Sequence, residues 1–366
     1  MIPVIEFVLG VAVLVYSAEK LIGYLVGVAS RWAISLFLIA VVFTGIEFDD
    51  LAFGVVLNME DLSDVALGTV IGTTIALTGI VLALAAIIAP TRVEVPRDYL
   101  ALYVAAPVVM FLLALGGLLT AGTGVVLILL FVAFVGWIAY REYSARRPVW
   151  RNAEVYEQLE RAGGGAGGST TATVATSGPP RSGTADGSSP GFRLPEDLRV
   201  DDGFLKARSQ PPGRTVLFAV IALIGLVVGA LVAGQGTEGI LETWAISGTV
   251  FGVTIATLAL SLEDILITVE PARRGAPEIA VANVLGSVVF SVTGKLGVIL
   301  LVGGSIVVDP TALVWHLPVL LGLTVLSAVF LGTGRIRRWH GVVLLVLYAA
   351  YFVVSLTVFG GVPVDD

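Results

Sequence analysis

Long apolar runs, separated by short charged or turn-forming stretches, dominate the chain. Ten spans can be drawn from them: Pro3–Ile22, Trp32–Leu57, Val65–Ala89, Tyr99–Leu119, Val125–Tyr140, Val216–Ala233, Ala245–Val269, Ile279–Val302, Leu313–Leu331 and Val342–Phe359. A hydrocarbon core about 30 Å thick needs about 20 apolar residues per helical span. The runs are continuous and do not alternate with period two, so the pattern predicts helices and not a β-barrel. The expected fold is an all-α membrane protein of ten transmembrane helices.

The polar positions between the runs sharpen that expectation. Twenty of the 21 Lys and Arg residues fall on alternate connections or at the run ends beside them, among them Lys20, Arg31, Arg92, Arg97, Arg273, Arg274 and Arg335. The opposite connections carry acids instead, such as Glu60, Asp61, Asp64, Glu238, Glu242 and Asp309. By the positive-inside rule the basic side is cytoplasmic and both termini lie outside, in a multi-pass protein of the plasma membrane. A wrong span count would scramble the alternation, so the pattern also supports ten. No basic segment precedes the first run, and no cleavable signal is expected.

Composition adds little beyond this. The chain has 366 residues, 57% hydrophobic and 13% charged, and an ordinary soluble protein would carry about twice that charge. Cysteine is absent, which excludes disulfides and thiolate metal sites. The expected domains are a first five-helix unit over 1–141, a flexible cytoplasmic linker over 142–213, and a second five-helix unit over 214–366. The linker's middle, Gly163–Gly191, is rich in Gly, Ser, Thr and Pro and reads as coil.

The two units are related. A shift of 214 residues places Asp50 on Asp264, Asp64 on Glu278, and Val70-Ile71-Gly72-Thr73 on Val284-Leu285-Gly286-Ser287. The interval from acid to glycine is 22 residues in both copies. Five spans per unit, an odd number, make the repeats inverted. Inverted repeats with polar residues at matching mid-membrane positions mark secondary transporters, with the site at the repeat interface.

The chemistry lies in the runs that end in carboxylates, VVFTGIEFDD (Val41–Asp50) and IATLALSLED (Ile255–Asp264). Ionisable groups inside such runs are functional candidates by default. Thr44, Glu47 and Asp50 are spaced to share one helix face, as are Thr257, Ser261, Asp264 and Thr268. Thr73, Thr74 and Thr78 on the third span, and Ser287, Ser291 and Thr293 on the eighth, add hydroxyls. This all-oxygen set suits hard cations: Ca²⁺, Mg²⁺, Na⁺ or protons. Asp49 and Glu263 sit one residue before the stripe acids and match each other under the shift. They read as further ligands, proton carriers, residues lining a water-filled path, or acids near a helix end that reach water. Lys295 is the one basic residue in the middle of a run. It is expected to pair with Asp50, Asp264 or Glu263, either compensating buried negative charge or taking the place of one monovalent ion. His316 and His340 read as interfacial residues rather than ligands.

On these residues the chain resembles the calcium/cation antiporter superfamily, whose best-known branch is the sodium/calcium exchangers. Each repeat of that family reads G-T-S-L-P-E, followed by G-S-N-x-x-N/D. Here the first copy stands as GIEFDD (Gly45–Asp50) with GTTIAL (Gly72–Leu77), and the second as ALSLED (Ala259–Asp264) with GSVVFS (Gly286–Ser291). The resemblance implies that Asp50 and Asp264 take the place of the family's essential glutamates, Glu47 and Ser261 of its first-motif serines, and Thr73 and Ser287 of its second-motif serines. Its threonines become Ile46 and Leu260, its prolines Asp49 and Glu263, and its Asn/Asp pair Leu77 and Ser291. The implied function is alternating-access antiport of a divalent cation, Ca²⁺ first, against Na⁺; the alternative is proton coupling, with Lys295 replacing a monovalent cation. The expected ligand set is Asp50, Asp264, Glu47, Glu263, Asp49, Ser261, Thr73, Ser287 and Ser291. The expected partners are inorganic cations and the lipid bilayer, with no nucleic acid, no cofactor beyond the transported ions, and a monomer or weak oligomer. An intramembrane aspartyl protease built on Asp50 and Asp264 is disfavoured by the absence of a GxGD sequence. A cation sensor that binds without transporting is the other competing class.

Overall fold

The structure, a computed structural model, describes residues 2–29, 46–90, 92–93, 95–145, 212–273 and 277–359. Its helices are labelled α1 (Ile2–Ala29), α2 (Phe48–Met59), α3 (Ser63–Ile88), α4 (Arg97–Ala114) and α5 (Ala121–Ala145) in the first unit. In the second they are α6 (Pro212–Trp244), α7 (248–273), α8 (277–303), α9 (Ala312–Gly332) and α10 (Arg338–Val358). Eight are long and apolar enough to cross a membrane; α2 and the apolar part of α7, Gly248–Leu262, are shorter. The protein is thus a multi-pass helical membrane protein. The first part of the second expected span, with Thr44, and nearly all of the 142–213 linker lie outside the described residues.

Element boundaries recur at the interval found in the sequence. The first stretch of α3, Ser63–Ala76, maps under the 214-residue shift onto the first stretch of α8, Pro277–Phe290. Both helices then pass through one π-helical turn, Leu77–Val81 in α3 and Ser291–Lys295 in α8, which also match residue for residue. A π-turn inserts one residue into a helical turn and turns up often at functional sites. The sequence comparison did not reach this feature, because apolar periodicity does not register a single inserted residue.

The centre of the molecule is built from α2, α3, α7 and α8. The apolar windows of α3 and α8 are 78% and 89% buried, whereas those of the other spanning helices are 39% buried or less. Outer helices turn Leu129, Val132, Leu223, Ile224, Val346 and Val353 outward, as a surface facing lipid tails requires. Small residues set the close crossings. A β-carbon on Gly68 would lie 2.6 Å from the Thr249 carbonyl oxygen, and one on Gly72 would lie 2.6 Å from Val253 Cα. The motif helices α3 and α7 therefore touch backbone to backbone. Along α1 and α6, Gly229 meets Leu14 and Gly236 meets Phe7 in the same way.

Contacts between connections respect the alternation of charge. The α4–α5 connection pairs with the α8–α9 connection through a two-residue antiparallel ladder, Leu118 with Val307 and Leu119 with Ile306. Gly248, opening α7, packs on the Asp64 carboxylate at the start of α3. Both contacts join connections assigned to the acidic side. On the basic side Arg141, near the end of α5, forms an ion pair with Asp98 at the start of α4. Near the helix ends, His316 and His340 are buried against aromatic side chains: His316 Nδ1 and Tyr351 Oη are 2.9 Å apart, and His340 stacks on Phe330.

Gly72→Val should force α3 away from α7. Overpacking of this kind costs about 1–3 kcal/mol, and thermal unfolding of the detergent-purified protein should show a lowered midpoint against wild type.

Candidate cation site

Helix α2 starts at Phe48, and Glu47 is its N-cap residue, with φ −75° and ψ 84°. Glu47 and Asp50 therefore do not share a face of one unbroken helix, as the spacing suggested. They still converge, because Leu51 N–H donates to the Glu47 carbonyl at 2.9 Å and closes the first turn. The acids gather where the helix dipole is positive and unpaired N–H groups cluster, which favours negative charge there.

Lys295 fills the space between them. Its Nζ donates to Asp50 Oδ2 at 2.6 Å, Glu47 Oε2 at 2.8 Å and Thr73 Oγ1 at 2.9 Å. Its side chain is 1% exposed, and both carboxylate side chains are 5% exposed. Ser291 Oγ donates to the same Glu47 Oε2 at 2.8 Å. Thr73 Oγ1 passes its own hydrogen to the Thr69 carbonyl at 2.9 Å, so its lone pairs are left for the ammonium. Lys295 and Ser291 stand at the two ends of the π-turn in α8, and both reach one carboxylate oxygen. Asp50 was an expected partner of Lys295. Glu47 was not, although the position of Ser291 one turn before Lys295 was a usable signal.

The remaining candidates divide. Asp49 is buried in the first turn of α2. Ser261 on α7 and Ser287 on α8 are wholly buried, and their hydroxyl oxygens, like Glu47 Oε1, have no hydrogen-bond partner among the described residues. Asp264 is partly buried on α7. The Glu263 side chain lies outside the described residues. The structure thus joins Glu47, Asp50, Thr73, Ser291 and Lys295 in one network. Among the described residues no three His, Cys, Asp or Glu side chains are arranged to hold a metal ion; at Glu47 and Asp50 the ammonium stands between the carboxylates. A second polar link, Asn283 Nδ2 to Thr268 Oγ1 at 3.1 Å, ties α8 to α7 and escaped the sequence reading, in which Asn283 stood outside both motifs.

The protein is thus a multi-pass helical bundle that buries an ammonium and two carboxylates where α2 meets α8. The family model described as "Sodium/calcium exchanger protein" matches residues 2–140 and 214–357, and the chain belongs to that family. The unmatched gap coincides with the central break. Sodium/calcium exchanger MaX1 of Methanosarcina acetivorans is 30% identical over 160 residues, covering 43% of this chain and 42% of that protein. The chain therefore aligns with about two fifths of that relative's length. Inner membrane protein YrbG of Escherichia coli is 25% identical over 326 residues, covering 88% of this chain and 86% of that protein. Among solved structures, the sodium-calcium exchanger NCX_Mj soaked with 10 mM Na⁺ and zero Ca²⁺ superposes with a TM-score of 0.57 at 19% identity, covering 98% of this chain and 99% of that one. The likeness establishes the exchanger fold. The relatives that define it are transporters rather than enzymes, which sets the protease reading aside.

Removing Lys295 leaves two buried carboxylates facing each other, whereas removing one acid leaves a balanced pair. In buffer free of metal cations, Lys295→Met should cost about 3–5 kcal/mol, the usual penalty for an uncompensated buried charge. Glu47→Gln and Asp50→Asn should each cost less, and denaturant unfolding in detergent reads the order.

Proposed function

We propose that the protein is a secondary active antiporter that exchanges a divalent cation, Ca²⁺ first, for Na⁺ by alternating access at a mid-membrane carboxylate site. The reading takes the chain as ten spans in two inverted five-helix repeats, 1–141 and 214–366, joined by a cytoplasmic linker, with both termini outside the plasma membrane. Family membership supports cation antiport as the activity. The observation that carries the site is three buried oxygens without a hydrogen-bond partner among the described residues, Glu47 Oε1 in one motif copy and Ser261 Oγ and Ser287 Oγ in the other. Buried polar atoms of this kind are suited to a ligand. Ca²⁺ takes about six to eight oxygen ligands, and these side chains, with Asp49, Glu263 and Ser291, supply oxygens of the right kind. The named sodium/calcium exchangers among the relatives favour Na⁺ as the counter-ion.

Proton coupling is the second reading. It is favoured by Ile46 and Leu260, which offer no hydroxyl where the resemblance places threonine ligands.

In proteoliposomes, an outward Na⁺ gradient should drive Ca²⁺ uptake. Asp264→Asn and Asp50→Asn should each lower the rate at least about tenfold, the effect of losing about 1.4 kcal/mol of interaction. Uptake driven by a pH gradient and indifferent to Na⁺ would select the second reading. Absence of any counterflow, with both variants matching wild type, would overturn the antiport reading.

A further inference from the structure

We propose that Lys295 is a built-in cation. Its ammonium permanently fills one subsite, on Glu47 Oε2, Asp50 Oδ2 and Thr73 Oγ1, and the exchanged ions bind beside it on the carboxylate oxygens it does not engage, with those of the second copy around Ser261, Asp264 and Ser287. The assignment rests on the antiport reading for its cargo, but its geometry stands independently. An ammonium has three N–H donors, and all three are used, at 2.6, 2.8 and 2.9 Å, on two carboxylates and one hydroxyl. That arrangement satisfies every donor of the ammonium with oxygens of the type an alkali ion takes. Lys295 has no donor left for any other acid.

The site is one-sided. Under the 214-residue shift the position matching Lys295 is Val81, and the one matching Ser291 is Leu77. The second copy therefore carries no tethered charge of its own at that position. There Ser261 Oγ and Ser287 Oγ, the counterparts of Glu47 and Thr73, are buried without a hydrogen-bond partner among the described residues. Lys295 is also held in place. Two residues further on, a β-carbon on Gly297 would lie 2.8 Å from the Gly124 carbonyl oxygen, so α8 lies directly against α5 at that point. The charge is covalently attached and cannot leave with the cargo. The exchanger should then move one monovalent ion fewer per cycle than its carboxylates would otherwise bind.

The test is equilibrium binding of ²²Na⁺ to the full-length protein in detergent, on wild type, Lys295→Met and Lys295→Arg. Lys295→Met should bind one more Na⁺ per chain than wild type. Lys295→Arg, which keeps the charge, should bind no extra ion. Sodium should also raise the unfolding temperature of Lys295→Met more than that of wild type. Equal Na⁺ binding by Lys295→Met and wild type, or a Lys295→Met protein that NaCl at molar concentration does not restore, overturns the proposal. A wild type without flux in liposomes would sink the antiport reading, while an extra Na⁺ bound by Lys295→Met would still uphold the assignment of the subsite.

Discussion

An ammonium clasped by two carboxylates inside an apolar bundle is the constraint on which this structure depends. Charges taken out of water cost several kcal/mol each after relaxation, and only close pairing with full hydrogen bonding offsets that cost. Lys295, Glu47 and Asp50 come from α8, the α2 N-cap and the α2 first turn, with Thr73 added from α3. The three elements must therefore meet within hydrogen-bond reach. Glycine helps the meeting: Gly54 lets α2 lie against Ile299 of α8. Gly68 and Gly72 separately let α3 lie against α7.

Much of this was legible in the sequence. The long apolar runs mark the described helices, because lipid demands uninterrupted apolar length. The 214-residue interval holds in the boundaries of α3 and α8, because an acid-to-glycine spacing kept in both copies reflects kept backbone geometry. The site was legible by residue type: Glu47, Asp50, Thr73, Ser291 and Lys295 are candidates by composition, and they meet. What escaped was local backbone detail. Reading Glu47 as helical followed from its i, i+3 spacing to Asp50, but the helix begins one residue after it. The choice of Glu47 by Lys295 depends on the π-turn, whose extra residue shifts the face on which Lys295 emerges. Neither property changes the hydrophobic pattern, so neither is visible in it.

The departures from the family motifs acquire a physical meaning in this arrangement. Where the resemblance places hydroxyl or amide ligands, the chain has Ile46, Leu260 and Leu77, which bind nothing, and Glu47, which adds a charge. An extra acid buried beside Asp50 would be unfavourable alone. Lys295 makes it tolerable, and Ser291 donates to the same oxygen of Glu47. The acid and the base are best understood as one compensated change, since either alone leaves an unbalanced charge at a helix end sealed from water.

The pairing also joins the two copies of the motif. Lys295 and Ser291 belong to the second unit, while Glu47, Asp50 and Thr73 belong to the first. Separated, each unit would carry its share of the network unpaired in an apolar surround. Helices that pack only through apolar surface could slide at little cost. A charge on α8 buried among acids of α2 favours one register of these helices, alongside the close glycine contacts.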